Sequence, residues 1–202
     1  MIRLAVVGDI GSGKSYVAKL FGYPVFNADN EVTKIYKKNR KCYKKLKKAL
    51  PEYINSFPIK KNELKKAIIA KRNNLKKITK IIHPEVQNRM SKFIKRNKNK
   101  KFVVLDIPLL LENKINKKND ILIFVDAKRK EINKRLEKRN NKTHKFLKKF
   151  QLPLETKKKK SDFIIKNNFK NNSIKKNVKI LIERVLLNAW SYIRYWNYRF
   201  IY

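Results

Sequence analysis

The chain of 202 residues carries 54 lysines and arginines against 15 aspartates and glutamates, a formal net charge of +39, yet 42% of it is hydrophobic. That apolar share excludes a wholly disordered polypeptide and suits one packed core domain with an insertion. No apolar run reaches membrane-spanning length, and Cys42, the single cysteine, excludes an internal disulfide. The lysines are spread from Lys34 to Lys179 among many Asn and Ile, so the charge reads as a compositional bias and a solvated face rather than a specific nucleic-acid surface. Runs such as Lys157-Lys158-Lys159-Lys160 would hold polyanions weakly, at low salt.

In chain order, residues 2 to 7 read as a buried parallel strand. Gly8-Asp9-Ile10-Gly11-Ser12-Gly13-Lys14-Ser15 follows it and fits the phosphate-loop pattern G-x-x-x-x-G-K-[ST], in the strand, loop, helix context that gives the pattern meaning. Residues lacking a Cβ let the backbone curl so that several N–H groups converge on one concavity. A nucleoside triphosphate such as ATP fits there, with Lys14 along the β and γ phosphates and the Ser15 hydroxyl on a Mg2+ ion. The competing reading is an ordinary turn. No leader or cleavage site precedes the loop, which places the chain in the cytoplasm as an expectation.

Glycine occurs only at positions 8, 11, 13 and 22. No D-x-x-G switch, no glycine-containing transport-ATPase signature and no Rossmann G-x-G-x-x-G can therefore be written, which leaves a small kinase. Such an enzyme needs a magnesium-organising carboxylate, an acceptor-side base and cations around the transferred phosphoryl group.

Residues 14 to 21 form the helix after the loop, and Val25-Phe26 a short second strand ahead of Asn27-Ala28-Asp29-Asn30. From about 31 to 100 the pattern is helical, with Leu64, Ala67, Ile68, Leu75, Ile78, Ile81 and Ile82 near a 3.6-residue period. Pro51 and Pro58 divide it, and His83-Pro84-Glu85-Val86 is expected to restart a helix with proline in its first turn. Phe102 to Leu105 ends in Asp106 and Ile121 to Val125 ends in Asp126, both as interior parallel strands. A basic helix spans 128 to 139, a mobile basic segment 140 to 160, a last strand Phe163 to Ile165, and an amphipathic helix about 174 to 190. The alternation predicts an α/β fold, a P-loop kinase core with a parallel sheet flanked by helices and ligands at the carboxyl ends of the strands.

Local context alone does not separate Asp106 from Asp126 as the magnesium carboxylate. Asp29 suits an acceptor base, or else the cap of the next helix. Arg135 and Arg139, four apart, share a helix face and suit diffuse phosphoryl charge, the alternative being a solvated helix. His83 reads as shaping a site rather than as a base, and His144 as exposed.

Taken in order, Gly8 to Ser15, Phe26 to Asp29, Ile81 to Val86, Val104 to Glu112, Arg135-Leu136 with Arg139, Gln151-Leu152-Pro153 and Ser161 to Asn167 resemble the dephospho-CoA kinase family along nearly the whole chain. The resemblance implies phosphorylation of the ribose 3'-hydroxyl of dephospho-CoA by ATP with Mg2+. It implies nucleotide contacts from Gly8 to Ser15 with Tyr16 and Asn167, the last on the base, and acceptor contacts at Asp29, His83, Pro108, Leu109 and Leu110. Asp29 becomes the catalytic base, Asp106 with Ser15 the magnesium site, and Lys14, Arg135 and Arg139 the cations of transfer. Residues 1–30, 101–130 and 161–190 become the nucleotide core, 31–100 a helical acceptor domain, 131–160 a basic lid and 191–202 an aromatic tail. The alternatives are another nucleoside or nucleotide kinase, and a nucleic-acid-binding P-loop NTPase.

Three positions depart from the family pattern: Lys60 and Lys61 replace an Asp-Arg pair, and Leu147 stands where many members carry a lid arginine. Lys145, Lys148 or Lys149 are candidates to compensate. The tail from Trp190 to Tyr202 packs on the core or meets a subunit or membrane surface, and the chain is expected as a monomer or small homo-oligomer.

Overall fold

The structure, a computed structural model, describes residues 1–138, 148 and 150–197, with the side chains at 72, 138 and 188–197 outside that description. It divides into two compact units, Met1–Val25 with Lys100–Tyr202, and Phe26–Asn99.

The first unit is built on a parallel sheet. Its strands are β1 (Ile2–Gly8), β3 (Phe102–Asp106), β4 (Asp120–Asp126) and β5 (Phe163–Lys166), and β2 (Val25–Asn27) begins in this unit. The order is β2-β3-β1-β4-β5, so β1 is central, paired with β3 on one side and β4 on the other. Period-2 alternation sends Leu4, Val6, Phe102, Val104, Ile123, Val125 and Ile165 to one face. There they pack on Val17, Ala18 and Phe21 from α1 (Lys14–Leu20) and its C-terminal turn, and on Ile174, Val178, Leu181 and Val185 of α8 (Asn171–Asn197). Each such side chain, almost wholly removed from water, contributes about 1.5–3 kcal/mol of transfer free energy. Ala5, Val7, Val103, Leu105, Leu122 and Phe124 are buried on the opposite face. Interior strands covered on both sides are why these segments read as continuous apolar runs.

At the amino end of the sheet, Arg3 and Asp120 lie in register and form a buried pair, Nε to Oδ1 2.8 Å and Nη2 to Oδ2 2.9 Å. Desolvation raises the Asp120 carboxyl against the opposing pull of the Lys117 N–H and the Arg3 guanidinium.

Two further helices belong to this unit, α6 (Arg129–Lys138) and α7 (Leu154–Lys159). The latter gives residues 154–159 of the segment expected to be mobile a helical structure, while 140–147 and 149 lie outside the described residues. Pro153 presets the entry to the helix, Glu155 lies in its first turn, and α7 packs against β1. Lys157, read from sequence as part of a solvated run, is 1% exposed.

The second unit is helical: α2 (Ala28–Lys38), α3 (Arg40–Ala49), α4 (Lys61–Ala70) and α5 (Arg72–Arg96). The apolar period of the sequence collects Ile35, Leu46, Leu64, Ala67, Ile78 and Ile82 into one core. Asn39 closes α2 and opens α3, its side chain accepting from Cys42 N at 2.9 Å. Buried Asn74 donates to Ala67 O at 2.9 Å and so satisfies the end of α4. The expected helix start at His83-Pro84 is not found, because α5 runs unbroken with Pro84 inside it. Proline removes the bond to the carbonyl four residues back, at Lys80. Both residues are exposed, where water can take up that carbonyl, while Ile78 and Ile82 hold the other face in the core.

Candidate active site

The phosphate loop emerges at the carboxyl end of β1, the position where a sheet of this order places its ligands. Gly13 and Gly8 have steric reasons for being glycine. Gly13 has φ 90°, and a Cβ there would run into Asn167 Nδ2. At Gly8, φ 148°, a Cβ would lie 2.8 Å from Val125 O on the neighbouring strand. Above Gly11, Ile132 and Leu136 of α6 close to within 3.1 and 3.2 Å of where its Cβ would be, so α6 seals one side of the loop.

Lys14 Nζ donates to Asp9 O at 2.7 Å and to Gly8 O at 3.4 Å, folding its cation over the loop. Asp9 is 6% exposed, and its Oδ1 accepts from Ile10 N at 2.7 Å. Lys148 Nζ lies 3.8 Å from Asp9 Oδ2, which makes it the one of the three candidate lysines that the described residues place at the loop. Ser15 is exposed at the start of α1, and the Tyr16 hydroxyl is bonded to Asn171 Oδ1 at 2.9 Å.

The two strand-end carboxylates, alike in sequence, differ in environment. Asp106 is 2% exposed and stands in register with Val6, two residues before the loop begins. Asp126 is open to solvent on the β4–β5 side, with Lys158 Nζ 3.7 Å from its Oδ2. Asp106 and the Ser15 hydroxyl are hard oxygen donors, and few protein carboxylates with several retained waters are what Mg2+ takes. Among the described residues no group of three or more His, Cys, Asp and Glu is placed to hold a metal.

Asn167 was expected on the nucleobase, and its carboxamide is turned elsewhere. It is 3% exposed, with Nδ2 donating to Ser12 O at 2.8 Å and Oδ1 accepting from Phe169 N at 2.8 Å, a brace under the loop. Beside it, Asn168, Lys128, Glu131, Ser173 and Asn177 line an open cavity of about 690 Å³. The Arg135 guanidinium lies 4.4 Å from the centroid of the Phe169 ring. Phe169 itself holds φ 60°, a left-handed conformation uncommon for an aromatic residue. Sequence reasoning missed this contact, whose only local signal is the pair of Asn residues that favour such turns. Arg139, His144, Lys145, Leu147 and Lys149 lie outside the described residues.

In the segment after β3, Leu110 is 1% exposed and has no surface left for a ligand, so its expected substrate contact becomes a packing role. Pro108 and Leu109 remain half-buried.

In the second unit Asn27 caps α2, its Oδ1 accepting from Asn30 N at 2.8 Å. That disposes of the capping role for Asp29, which is exposed in the first turn and stabilised there by the helix amide dipoles. Behind it, Arg89 joins Glu31 at 3.2 Å and Glu85 at 3.0 Å. Burial raises the Glu31 carboxyl, but Lys34 and Arg89 together outweigh it and hold the group below the usual carboxylate value. Partial burial lowers the His83 imidazole below its ordinary value. Lys60 and Lys61 are exposed at the start of α4, and the Lys60 side chain makes no capping bond.

A central parallel strand opening into this loop, with a lysine over it and a buried carboxylate on the next strand, defines a P-loop phosphotransferase. The dephospho-CoA kinase family model, CoaE, matches residues 2–173. The chain belongs to the dephospho-CoA kinase family. It is 32% identical over 193 residues to the dephospho-CoA kinase of Wolbachia sp. subsp. Brugia malayi, covering 92% of this chain and 99% of that one. It is 33% identical over 193 residues to that of Bartonella quintana, covering 92% and 98%. Among solved structures, TT1252 from Thermus thermophilus superposes with a TM-score of 0.74 at 25% identity, over 93% of this chain and 97% of the other. Dephospho-CoA kinase from Campylobacter jejuni shares the fold, with a TM-score of 0.62 at 22% identity over 91% and 96%.

Proposed function

We propose that this chain transfers the γ-phosphoryl group of ATP to the ribose 3'-hydroxyl of dephospho-CoA, giving coenzyme A and ADP. The observation that carries the reading is the family match across residues 2–173 together with a phosphate loop whose glycines have the φ values and clearances the motif requires. The loop amides from Gly8 to Ser15 bind the ATP phosphates, and Lys14 leaves Asp9 O to follow the charge on the β and γ groups. Asp106 and Ser15 would hold Mg2+, which would supply charge neutralisation to the phosphates. Asp29, exposed in the first turn of α2, takes the proton of the attacking hydroxyl. His83 offers a hydrogen bond to the acceptor, while Pro108 and Leu109 present an apolar wall.

Arg135 with Arg139, and Lys148 near Asp9, supply cations to the transferring group. A lysine there keeps the charge but gives up the bidentate fork of an arginine. The nucleobase takes the cavity beside Asn168 and Ser173. No helix of the described residues is long and apolar enough to cross a membrane. We place the reaction in the cytoplasm, with small molecules as partners and the chain as a monomer or small homo-oligomer.

The test is ADP release from purified protein given Mg-ATP with dephospho-CoA, with nucleoside monophosphates or with DNA. Turnover with dephospho-CoA and product mass matching coenzyme A support the proposal. Stimulation only by monophosphates or by nucleic acid overturns it.

A further inference from the structure

Glu112 and Lys157 form the most buried ion pair outside the loop among the described residues, Nζ to Oε1 2.6 Å, with side chains 9% and 1% exposed. The same Oε1 accepts from Leu152 N at 3.0 Å. One carboxylate oxygen therefore joins three segments: the turn that carries Pro108 and Leu109, the chain just before α7, and α7 itself. A buried pair of this kind adds little net stability over apolar residues of similar volume, because desolvation offsets the attraction. Its geometry, on the other hand, is well determined, since both charges must stay paired.

The tie continues toward the phosphate loop. Gln151 N donates to Lys148 O at 3.2 Å, and Lys148 is the residue whose ammonium lies 3.8 Å from Asp9. Between them, Gln151 Oε1 and Nε2 are buried with no hydrogen-bond partner among the described residues. The Leu152 N–H to Glu112 bond follows directly in sequence and ties this stretch of chain to the turn after β3.

We propose that Glu112 is a positioning residue for phosphoryl transfer. Acting through the Leu152 amide, and itself held by Lys157, it sets Lys148 and residues 150–152 against the phosphate loop and the Pro108–Leu109 wall. This rests on the kinase reading above. The part that matters is an oxygen acceptor at position 112, not the pair's charge.

Two double variants separate the oxygen from the charge. Glu112→Gln with Lys157→Met removes both charges but keeps an amide oxygen for Leu152 N. Glu112→Leu with Lys157→Met removes both charges and the acceptor. The expected result is that the first retains wild-type kcat, while the second loses about 10- to 100-fold in kcat, the scale of a small misplacement of reacting groups. Both should bind Mg-ATP with unchanged affinity, and the second should have the lower Tm because it leaves the Leu152 N–H without its acceptor. Equal kcat in the two variants, whether both normal or both reduced, overturns the proposal.

Should the leucine variant fail to fold, amide hydrogen exchange on the wild-type chain decides. Protection of Leu152 N–H comparable to the strand amides supports the tie, and exchange at the rate of an open loop overturns it. That measurement needs no turnover, so it also separates a failure of this proposal from a failure of the dephospho-CoA reading, which would appear as a wild-type chain inactive on that acceptor.

Discussion

Replacing Gly13 by alanine probes the contact between the phosphate loop and Asn167 directly. Gly13 and Gly22 both lie in the first unit and both have left-handed φ, 90° and 71°, but a Cβ at Gly22 meets nothing within 4 Å. Each alanine therefore incurs the same kind of backbone strain, about 1–2 kcal/mol. At Gly13 the Cβ also displaces the Asn167 amide, breaking its bond to Ser12 O and leaving a buried polar group unpaired, which adds about 1–3 kcal/mol. Urea unfolding should thus show Gly13→Ala less stable than Gly22→Ala by that increment. In an Asn167→Ala background, where the obstructing amide is gone, the increment should vanish. Mg-ATP affinity should fall for Gly13→Ala and not for Gly22→Ala, because Asn167 braces the loop backbone at Ser12. Equal stability of the two glycine variants, or an increment that persists without Asn167, would refute the reasoning.

The remaining predictions concern other parts of the chain. Asp29→Asn should keep Mg-ATP binding and remove most turnover with dephospho-CoA, and near-normal kcat would defeat the base assignment. Arg3→Leu should destabilise by about 3–5 kcal/mol by stranding the Asp120 carboxylate, while Arg3→Leu with Asp120→Leu returns near wild type; a double variant as unstable as the single one counts against this. His83, lowered by burial from its ordinary 6.5, binds its proton more weakly folded than unfolded, so its contribution is present above 6.5 and lost as pH falls through the folded value. An NMR titration of His83 should give a midpoint below 6.5, and one at or above it contradicts the assignment. Glu31 is lowered by Lys34 and Arg89 despite burial, so its contribution is present above 4.5 and lost as pH falls through its lower folded value. Glu31→Gln should flatten that acid limb of the stability profile.

Much of the architecture was legible because its signals are local. A phosphate loop needs glycine at particular places, and with so few glycines in the chain the pattern carried both the donor chemistry and the exclusion of other nucleotide-binding classes. Interior strands announced themselves as apolar runs, since a parallel sheet covered on both faces admits little else. The ordered motifs after the loop were enough to carry the family.

What only the tertiary structure decided are the roles of residues whose partners lie far along the chain. Asp106 and Asp126 end identical-looking strands, and only strand order puts the first against Val6 and leaves the second with Lys158 at the open side. Asn167 braces Ser12 across 155 residues of sequence. Lys157, one of four consecutive lysines, is buried because Glu112 lies opposite it. Pro84 reads as a helix start, yet the packing of Ile78 and Ile82 carries the helix through it. Backbone geometry and apolar period depend on neighbours in the chain, whereas burial of a charge or an amide depends on which distant group arrives to satisfy it.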